Sequence, residues 1–474
     1  MNILLINPPL EFDRSTWVRN VLFYNSMPLG LGYLAAILEK AGHQVEIIDS
    51  PVQKFSIRDC VQKAKDVSAK LIGITSTTVS FASACKTAFA LKEALPNAIL
   101  ALGGSHVSAD GAKSIQESSF DIGIIGEGEL TFLEIAQKHA DGSMLDNIPG
   151  TIIRKGNEIV ANESRPFIKD LDAVPFPARH LMPKPTEYIP IPNDDIAFPK
   201  LSLITSRGCP FSCAFCDHGV FKKIYRETSA EYAVAEFEYL VKQLKARSIA
   251  FLDSVFTLHV DRVRAICEGI IRKKIKIPWS CPIRGDIADH SIFQDLAKAG
   301  CWRVRIGIES GNSNILASIG KGETLDQIRS AVTAADKAGL SVKGFFVIGH
   351  FKDNEKSIRD SIDFACSLPL DDITAQINTP FPNTHLWNEL TSGGREPSRD
   401  WSRYSLWDPI FVPDGLTPHR LIELQKIFYR SFYLRPGMIV KRLFKPRSIK
   451  DIFKIVKFRG LIKELFFQHG FSRS

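Results

Sequence analysis

The sequence predicts an α/β protein in which two series of alternating strands and helices precede a helical C-terminal region. Short runs rich in β-branched residues alternate with helical patterns over roughly the first 140 residues. A proline-rich stretch then interrupts the pattern, and a second alternating series begins near Leu201 and stops near Gly393. The expected segments are a first domain at 1–146, a linker at 147–200, a second domain at 201–393 and a helical region at 394–474.

The first series predicts a doubly wound, Rossmann-like parallel sheet with helices on both faces. Its expected strands are NILLINPP, HQVEIID, KLIGITST, AILALGGSH and DIGIIGEGE, and its expected helices begin at PLGLGYL, IRDCVQK, FASACKT and LTFLEIA. Such sheets bind ligands beyond the carboxyl ends of their strands. The candidate ligand-binding segments are therefore Asn7–Pro9, Thr75–Thr78, Gly103–His106 and Gly126–Glu129.

The proline-rich linker predicts an extended segment or a small hairpin, because proline fixes φ and removes a hydrogen-bond donor. After it, six strands alternate with helices and predict a (β/α)6 partial TIM-type barrel, whose chemistry belongs at the C-terminal strand ends. The six expected strands are LSLITS, SIAFLD, IPWSC, WRVRIGIES, SVKGFFVIG and DDITAQINTP.

The composition is that of a soluble globular protein, with 45% hydrophobic and 24% charged residues among 474. No run approaches ~18 consecutive apolar residues, and the first residues lack the pattern of a signal peptide, so we expect a cytoplasmic protein. Nine cysteines, mostly scattered singly, favour a reducing compartment.

The net charge of +8 belongs to the C-terminal tail, since residues 441–474 hold ten Lys and Arg against two acids. The neutral body disfavours a nucleic-acid partner. In the tail, the apolar residues Ile449, Ile452, Phe453 and Val456 have helical spacing among lysines. This pattern predicts a basic amphipathic helix that either docks on the body, contacts an anionic membrane surface, or binds an acidic partner.

Cys209, Cys213 and Cys216 form a C-x3-C-x2-C motif directly after a predicted strand. Thiolates are soft ligands that suit an iron–sulfur cluster or zinc. A four-ligand zinc site would need a further ligand such as His218, whose spacing matches no common finger. Three structural cysteines in a loop are the remaining interpretation. Three thiolates on a four-iron cluster would leave one iron open to an exogenous ligand.

This motif, with Phe215 before its last cysteine, resembles that of the radical S-adenosylmethionine (radical SAM) superfamily. The resemblance implies a [4Fe-4S] cluster whose open iron chelates S-adenosylmethionine (SAM), and one-electron cleavage of SAM to methionine and a 5′-deoxyadenosyl radical. FLDSVFT and IGIESGNSNIL resemble later family segments, which implies that Phe215, Asp253 and Glu309 contact SAM. The structural alternatives are a helix cap at Asp253 and a pair between Glu309 and an arginine, Arg303 or Arg305.

Two later segments, VIGHFKDNEKS and NTPFPNTHLW, resemble family strand ends but depart from them. His350 and Phe351 replace small or proline residues, and Asn383 replaces a glycine. These departures predict an atypical floor of the substrate site. Barrel residues that could contact substrate, each with a structural alternative, are Arg284, Asp286, His350 and Asn378.

The first series resembles the cobalamin-binding domain that precedes many radical SAM barrels. The resemblance implies that the corrin and its nucleotide tail contact Thr75, Ser76, Thr77, Gly103, Gly104, His106, Gly126, Glu127, Gly128 and Glu129. The loop NPPLEFDRSTW lacks the D-x-H-x-x-G histidine that ligates cobalt in many such domains. His106 either ligates cobalt or holds the corrin or nucleotide, and a domain that has become a scaffold is the rival interpretation.

Together these resemblances predict a cobalamin-dependent radical SAM enzyme that methylates an unactivated carbon or phosphorus of a small-molecule or lipid-like substrate, with flavodoxin or ferredoxin as electron donor. Radical ring closure or hydroxylation, as in the anaerobic magnesium-protoporphyrin monomethyl ester cyclase, is the alternative within the class. A corrinoid or redox sensor is the alternative outside it. The sequence identifies neither the substrate nor a catalytic residue.

Overall fold

The computed structural model describes residues 1–9, 26–189, 196–287 and 289–438. These residues divide into two compact units. Within them, the first unit comprises 1–9, 26–189, Leu201–Ala246 and Pro380–Ser405, and the second comprises 196–200, 247–379 and 406–438. The predicted amphipathic tail helix around Ile449 lies outside the described residues.

The first unit contains a seven-stranded sheet in the order β2-β1-β3-β4-β5-β6-β7. Its strands are β1 (Asn2–Asn7), β2 (Gln44–Asp49), β3 (Leu71–Thr75), β4 (Ile99–Gly103), β5 (Ile122–Ile124), β6 (Thr151–Lys155) and β7 (Glu158–Ala161). Strands β1 to β5 are parallel, whereas β6 and β7 form an antiparallel hairpin that extends the edge. The hairpin begins the proline-rich segment.

Helices connect the parallel strands of the first unit. They are α1 (Leu29–Lys40), α2 (Ser50–Gln53), α3 (Ile57–Asp66), α4 (Phe81–Ala94), α5 (Ser105–Asp110), α6 (Ala112–Gln116) and α7 (Glu129–Ala140). Strand β1, which lies between β2 and β3, is buried through Leu4, Leu5 and Ile6, because helices cover the parallel sheet. Ser56 begins α3 with a capping box, in which its hydroxyl accepts the amide N–H of Asp59.

The later residues of the first unit carry the cysteine motif. Its elements are β8 (Lys200–Leu203, of which Lys200 belongs to the second unit), β9 (Ser206–Arg207), β10 (Arg226–Glu227), α8 (Ala230–Lys242) and α14 (His385–Ser392). Arg179 of the proline-rich segment forms a fully buried ion pair with Glu236 of α8 at 2.7 Å. It also donates to the carbonyl of Ser202 at 2.9 Å. The proline-rich segment is therefore packed against α8 through a paired charge.

The second unit contains five parallel strands in the order β15-β14-β13-β12-β11. They are β11 (Ser248–Phe251), β12 (Trp279–Ile283), β13 (Cys301–Glu309), β14 (Ser341–Ile348) and β15 (Asp372–Ile377). The helices are α9 (Val260–Arg272), α10 (Ile292–Lys298), α11 (Ser313–Ser318), α12 (Leu325–Lys337), α13 (Glu355–Ser367) and α15 (Pro418–Tyr433). All six strands expected in the second series are present, which confirms the predicted α/β class and half-barrel.

The C-terminal helix α15 covers the edge strand β15. The Tyr429 hydroxyl accepts the amide N–H of Ala375 at 3.0 Å, and the Gln425 amide donates to the Ala375 carbonyl at 2.8 Å. These bonds satisfy backbone groups that an uncovered edge would expose. In the described residues, no helix combines the length and apolar composition that a bilayer crossing needs.

Candidate functional site

A cavity of about 190 Å³ lies at the carboxyl ends of the first sheet. Seven of the residues predicted to contact cobalamin line it: Thr75, Gly103, Gly104, Gly126, Glu127, Gly128 and Glu129. Helix α1 contributes Tyr33 and Leu34, and the segment around the cysteines contributes Ile204, Arg207, Val220 and Phe221. The cavity is therefore bounded both by the strand ends of the sheet and by the segment that carries the cysteine motif.

The ends of β3 and β4 approach each other closely at this cavity. Gly104 has a φ of +103°, and a Cβ there would lie 2.4 Å from the Ser76 carbonyl oxygen. The Ser76 amide donates to the Gly103 carbonyl at 2.9 Å, and the His106 amide donates to the Ser76 carbonyl at 3.2 Å. Position 104 thus requires glycine, because a side chain would separate the two strand ends.

Ser76 and Thr77 bond within their own turn. The Ser76 hydroxyl donates to the Thr77 carbonyl at 3.0 Å, and the Thr77 amide donates to the Ser80 hydroxyl at 2.9 Å. Their side chains therefore shape the turn before α4. Their predicted cobalamin contact stays a prediction.

His106 is fully buried between two aromatic rings, Phe81 at 4.0 Å and Trp401 at 5.0 Å between centroids. Its Nδ1 is 3.3 Å from the Thr78 hydroxyl, and its Nε2 has no hydrogen-bond partner in the described part of the chain. Burial lowers the pKa of His106 to about 4, although Asp110 opposes this. The histidine is therefore neutral, packed as an aromatic side chain, and not part of the cavity wall.

Four charged residues form what we call the first charge cluster: the buried Glu127, Glu129 and Arg207, and the half-buried Arg226. Arg207 contacts Glu127 and Glu129 at 2.7 Å each, and Arg226 contacts Glu127 at 2.9 Å. Burial raises the pKa of Glu127, but hydrogen bonds from Arg226 and Arg207 outweigh it and hold the pKa below its usual value. Glu127 is therefore ionised, and arginines bind the carboxylates of both glutamates.

The three cysteines lie on residues 208–225, the cysteine loop, which the antiparallel strands β9 and β10 close at its base. Gly208 begins the loop with a φ of +85°, and a Cβ there would lie 2.0 Å from the Ile224 carbonyl oxygen. The Cys216 amide donates to the Cys213 carbonyl at 3.0 Å, which forms a tight turn between these two cysteines. Cys209 and Cys213 are half-buried and Cys216 is exposed.

The donor set of this loop fits an iron–sulfur cluster. Three thiols occur within eight residues, and none of the nine cysteines forms a disulfide. In the described residues, no three side chains of His, Cys, Asp or Glu are grouped closely enough to hold a metal ion, so the fit rests on the chemistry of the donors. His218, considered as a zinc ligand, has a buried Nε2, and burial lowers its pKa.

Phe215, predicted to contact SAM, is half-buried in the same loop. Beyond it, Asp217 accepts the Gly219 amide at 2.7 Å and the Asn383 side-chain amide at 3.3 Å. Asn383 has a φ of +67°, in the left-handed region that asparagine tolerates better than most residues. This conformation explains why asparagine can replace the glycine of the resembling family segment.

Asp253 and Glu309 both follow strand ends in the second unit. Asp253 is 4% exposed and lies two residues after β11. The alternative of a helix cap is wrong, because α9 begins at Val260 after His259. Glu309 ends β13 with a φ of +65°, an uncommon backbone conformation for a glutamate that is often found at functional sites.

The expected arginine pairing of Glu309 is also wrong, since its partner is Lys321 at 3.3 Å. Arg303 contacts Asp372 at 3.7 Å, and Arg305 donates to the Phe251 carbonyl at 2.5 Å. The side chains of both arginines are thus bound elsewhere in the second unit.

A second charge cluster continues from this pair and consists of Glu309, Lys321, Glu323, Arg284 and Asp286. Glu323 contacts Arg284 at 2.9 Å and Lys321 at 3.8 Å, and Arg284 contacts Asp286 at 2.9 Å. Burial raises the pKa of Glu323, and Lys321 and Arg284 only partly offset this. Arg284 and Asp286, predicted as substrate contacts, therefore belong to this network, in which Arg284 is buried and Asp286 is half-buried.

The other predicted substrate contacts are less uniform. His350 is 1% exposed, and burial lowers its pKa to about 4. Phe351, its neighbour, is 42% exposed and stacks on Phe411 at 6.0 Å between centroids. Asn378 is buried, and its backbone amide donates to the Ile348 carbonyl at 2.8 Å. Of these residues, Phe351 has the side chain most accessible to a ligand.

Sequence reasoning did not single out five residues of these networks: Tyr33, Arg207, Arg226, Lys321 and Glu323. Tyr33 lies under the Arg207 guanidinium at 5.1 Å from the ring centroid. Arg207 stands two residues before the first cysteine, and that nearness was the one available signal. Lys321 and Glu323 flank a glycine in a connecting loop, where no periodicity marks them.

Two family models match the chain in the order the fold suggests. The B12 binding domain matches residues 16–136, and the radical SAM superfamily matches residues 203–365. The first range contains most of the cavity-lining sheet, and the second contains the cysteine loop and the strands up to β14.

Relatives match over nearly the whole chain. An uncharacterised methyltransferase of Pyrococcus horikoshii is 32% identical and covers 98% of both chains. Cytidylyl-2-hydroxyethylphosphonate methyltransferase of Streptomyces wedmorensis is 26% identical over 91% of this chain and 90% of its own. Anaerobic magnesium-protoporphyrin IX monomethyl ester cyclase of Rubrivivax gelatinosus is 25% identical over 88% of this chain and 75% of its own.

Solved structures share the fold at low sequence identity. The cobalamin-dependent SAM radical enzyme OxsB superposes with a TM-score of 0.73 and 18% identity, covering 98% of this chain and 71% of its own. The radical SAM methyltransferase TsrM of Kitasatospora setae has a TM-score of 0.68 and 17% identity, covering 83% and 75%. With both family models and the Pyrococcus relative, the chain belongs to the radical SAM enzymes that carry a B12-binding domain.

Proposed function

We propose that this enzyme is a cobalamin-dependent methyltransferase that acts on an unactivated carbon or phosphorus of a small-molecule or lipid-like substrate. The observation that carries the proposal is the shared wall of the cavity. Val220 and Phe221 come from the cysteine loop, and Thr75 and Gly103 come from the strand ends of the B12-binding domain. One unit thus brings the strand ends of the B12-binding domain and the cysteine loop to the same cavity.

The cysteine loop supplies the ligands in this proposal. Thiolates of Cys209, Cys213 and Cys216 would hold a [4Fe-4S] cluster, and the backbone and apolar wall of the cavity would hold cobalamin. When bound, the cluster supplies the electron that cleaves SAM, and cobalamin supplies the methyl group. A flavodoxin or ferredoxin is the proposed source of that electron.

The second unit offers a charge suited to SAM. SAM carries a sulfonium, an ammonium and a carboxylate, so its net charge is positive. The second charge cluster contains three carboxylates and two cationic groups, which leaves one negative charge in excess. Complementary charge favours binding of a cation, and it supports Glu309, a member of this cluster, as a SAM contact.

Radical ring closure is the second candidate function. The Rubrivivax relative is named a cyclase, and it matches this chain at nearly the same identity as the phosphonate methyltransferase. Because the two relatives are named for different reactions but both match most of this chain, we use the products formed from SAM to distinguish the two functions.

The test is anaerobic reconstitution with iron, sulfide and cobalamin, followed by reductant, SAM and a cell extract as the substrate source. Methyl transfer predicts 5′-deoxyadenosine together with S-adenosylhomocysteine, both quantified by mass spectrometry. Deoxyadenosine without S-adenosylhomocysteine would favour ring closure. A wild-type protein that binds iron and cobalamin but cleaves no SAM would favour the sensor instead.

Cys213→Ala should abolish formation of 5′-deoxyadenosine, because two thiolates cannot retain the cluster. Cys85→Ala is the matched control, since this half-buried thiol lies on α4 in the same unit and outside the motif. Iron content should fall in the first variant and stay at the wild-type value in the second. Equal iron content and SAM cleavage in the two variants would overturn the assignment of the ligands.

A further inference from the structure

We propose that Glu127 couples the cavity to the cysteine loop, so that binding of a corrinoid and closure of the loop favour each other. This inference rests on the proposed function, because it takes cobalamin as the occupant of the cavity. Glu127 acts here as a positioning residue, through its contacts with two arginines.

Both arginines stand at the base of the cysteine loop. Arg207 of β9 and Arg226 of β10 are directly opposite each other in the antiparallel register. Both donate to the carboxylate of Glu127, Arg207 at 2.7 Å and Arg226 at 2.9 Å. One carboxylate therefore holds the two strands that enter and leave the loop.

Glu127 itself belongs to the wall of the cavity. It lies between Gly126 and Gly128, and all three residues line the cavity. The Gly126 amide donates to the Ser108 hydroxyl at 3.0 Å, and the Ile168 amide donates to the Glu127 carboxylate at 2.9 Å. A ligand that fixes this segment also fixes the carboxylate to which the arginines bind.

The cysteine loop reaches the cavity by a second route. Phe221 lines the cavity, and the Arg207 guanidinium lies 6.0 Å from its ring centroid. The same guanidinium lies 5.1 Å from the ring centroid of Tyr33, another lining residue. The cavity, the base of the loop and part of its interior are thus connected through a single buried arginine.

Burial gives this connection its strength. Glu127 and Arg207 are both less than a tenth exposed, so their ion pairs are weakly screened by water. Two sites that share such a network affect each other reciprocally, typically by fivefold or more in affinity. We therefore expect cobalamin to order the cysteine loop even in protein that contains no cluster.

The test measures hydrogen–deuterium exchange of residues 208–225 in cluster-free protein, with and without hydroxocobalamin. Exchange in wild-type protein should slow at least about fivefold when cobalamin binds. Arg226→Gln should weaken this protection, because it removes one of the two arginines that bind Glu127, and Arg226 does not line the cavity. Cobalamin affinity, measured by absorbance, gives the second readout, and we expect the reconstituted iron–sulfur cluster to increase it more in wild-type protein than in Arg226→Gln.

Arg165→Gln is the matched control. Like Arg226, Arg165 binds a carboxylate and a backbone carbonyl, here those of Glu134 on α7 and of Pro149, but among the described residues it has no ion pair or hydrogen bond with the cysteine loop. Protection should persist in this variant. Arg226→Lys, which keeps the charge, should restore part of it if Arg226→Gln folds poorly.

The outcomes separate the two proposals. Wild-type protein that binds cobalamin without slower exchange in 208–225 would overturn the coupling and leave the proposed function intact. Equal protection in Arg226→Gln and wild type would overturn the role of the arginine–Glu127 contacts. Failure to bind cobalamin at all would overturn the proposed function together with the coupling.

Discussion

The two units each bury a cluster of charged side chains near the strand ends, and the clusters differ in charge balance. The first pairs two arginines with two glutamates, and its shortest contacts are 2.7 Å. The second combines three carboxylates with Arg284 and Lys321, and Glu309 is held by a single ammonium at 3.3 Å. The first cluster is neutral overall and the second carries an excess negative charge.

The two clusters are therefore suited to different roles. In the first unit, glycines, Thr75 and apolar side chains make most of the cavity wall, while the ionised groups satisfy each other. In the second unit, the excess charge is itself suited to attract a cation. We therefore expect the balanced cluster to stabilise the first unit, and we expect the unbalanced one to favour binding of a cation.

The largest expected effect comes from unbalancing the first cluster. Arg207→Met should lower the free energy of unfolding by about 3 to 5 kcal/mol, because it leaves Glu129 buried without its arginine. Denaturant unfolding monitored by circular dichroism measures this loss.

Arg264→Met is the control for the loss of an arginine. Arg264 contacts Asp289 and Asp295 at the surface, where solvent screens the pairs, so little change is expected. A similarly small change in the free energy of unfolding for Arg207→Met would show that the first cluster does not stabilise the fold.

The pH dependence of stability tests whether the two units also differ in the effect of their buried histidines. Each buries one histidine, His106 or His350, and burial lowers the pKa of each from 6.5 to about 4. Because the unfolded chain binds protons that the folded histidines do not, stability is fully present above about pH 6.5 and falls as the pH drops toward 4. Each histidine should contribute about 1 to 3 kcal/mol to this loss.

The measurement is the free energy of unfolding between pH 7.5 and 4.5 for wild type, His106→Gln and His350→Gln. Buried carboxylates with raised pKa, such as Asp49 and Asp353, act in the opposite direction, so only differences from wild type are interpreted. Each variant should show a shallower decline on acidification. A decline as steep as that of wild type in both variants would contradict the neutral assignment.

The fold class could be predicted from the sequence because the hydrophobic periodicity of its strands and helices is strong. Strand β1 and helix α1 fall inside the predicted segments, since alternating buried runs and glycine-closed helices leave few alternatives. The short helix α11 and the two-residue strands β9 and β10 were not predicted. Elements so short carry no periodic signal, and tertiary contacts decide whether they form.

The site was less predictable, because its organisation depends on contacts between distant residues. The cysteine spacing marked a cluster motif, and the glycines at strand ends marked a cavity. Nothing in the sequence indicated that Arg207 and Arg226 meet at Glu127, about 80 and 99 residues away. The sequence likewise suggested an arginine as the ion-pair partner of Glu309, whereas in the structure the partner is Lys321.

The smallest predicted effect tests the excess charge of the second cluster directly. Glu323→Gln makes that cluster neutral while keeping an oxygen that can accept the Gly285 amide. SAM should bind the variant about fivefold more weakly, on the order of 1 kcal/mol, because a positive ligand loses one attractive charge. The change is measured by equilibrium binding of SAM to protein that holds the reconstituted iron–sulfur cluster.

S-adenosylhomocysteine provides the decisive comparison, since it lacks the sulfonium and has no net charge. Its affinity should change little in Glu323→Gln, so the ratio of the two affinities reports charge rather than shape. Asp289→Asn removes the same charge from an exposed site of the second unit, where it pairs with Arg264, and should leave that ratio unchanged. An equal loss for both ligands in Glu323→Gln would mean that Glu323 shapes the site, and that the charge imbalance between the two clusters plays no part in recognition.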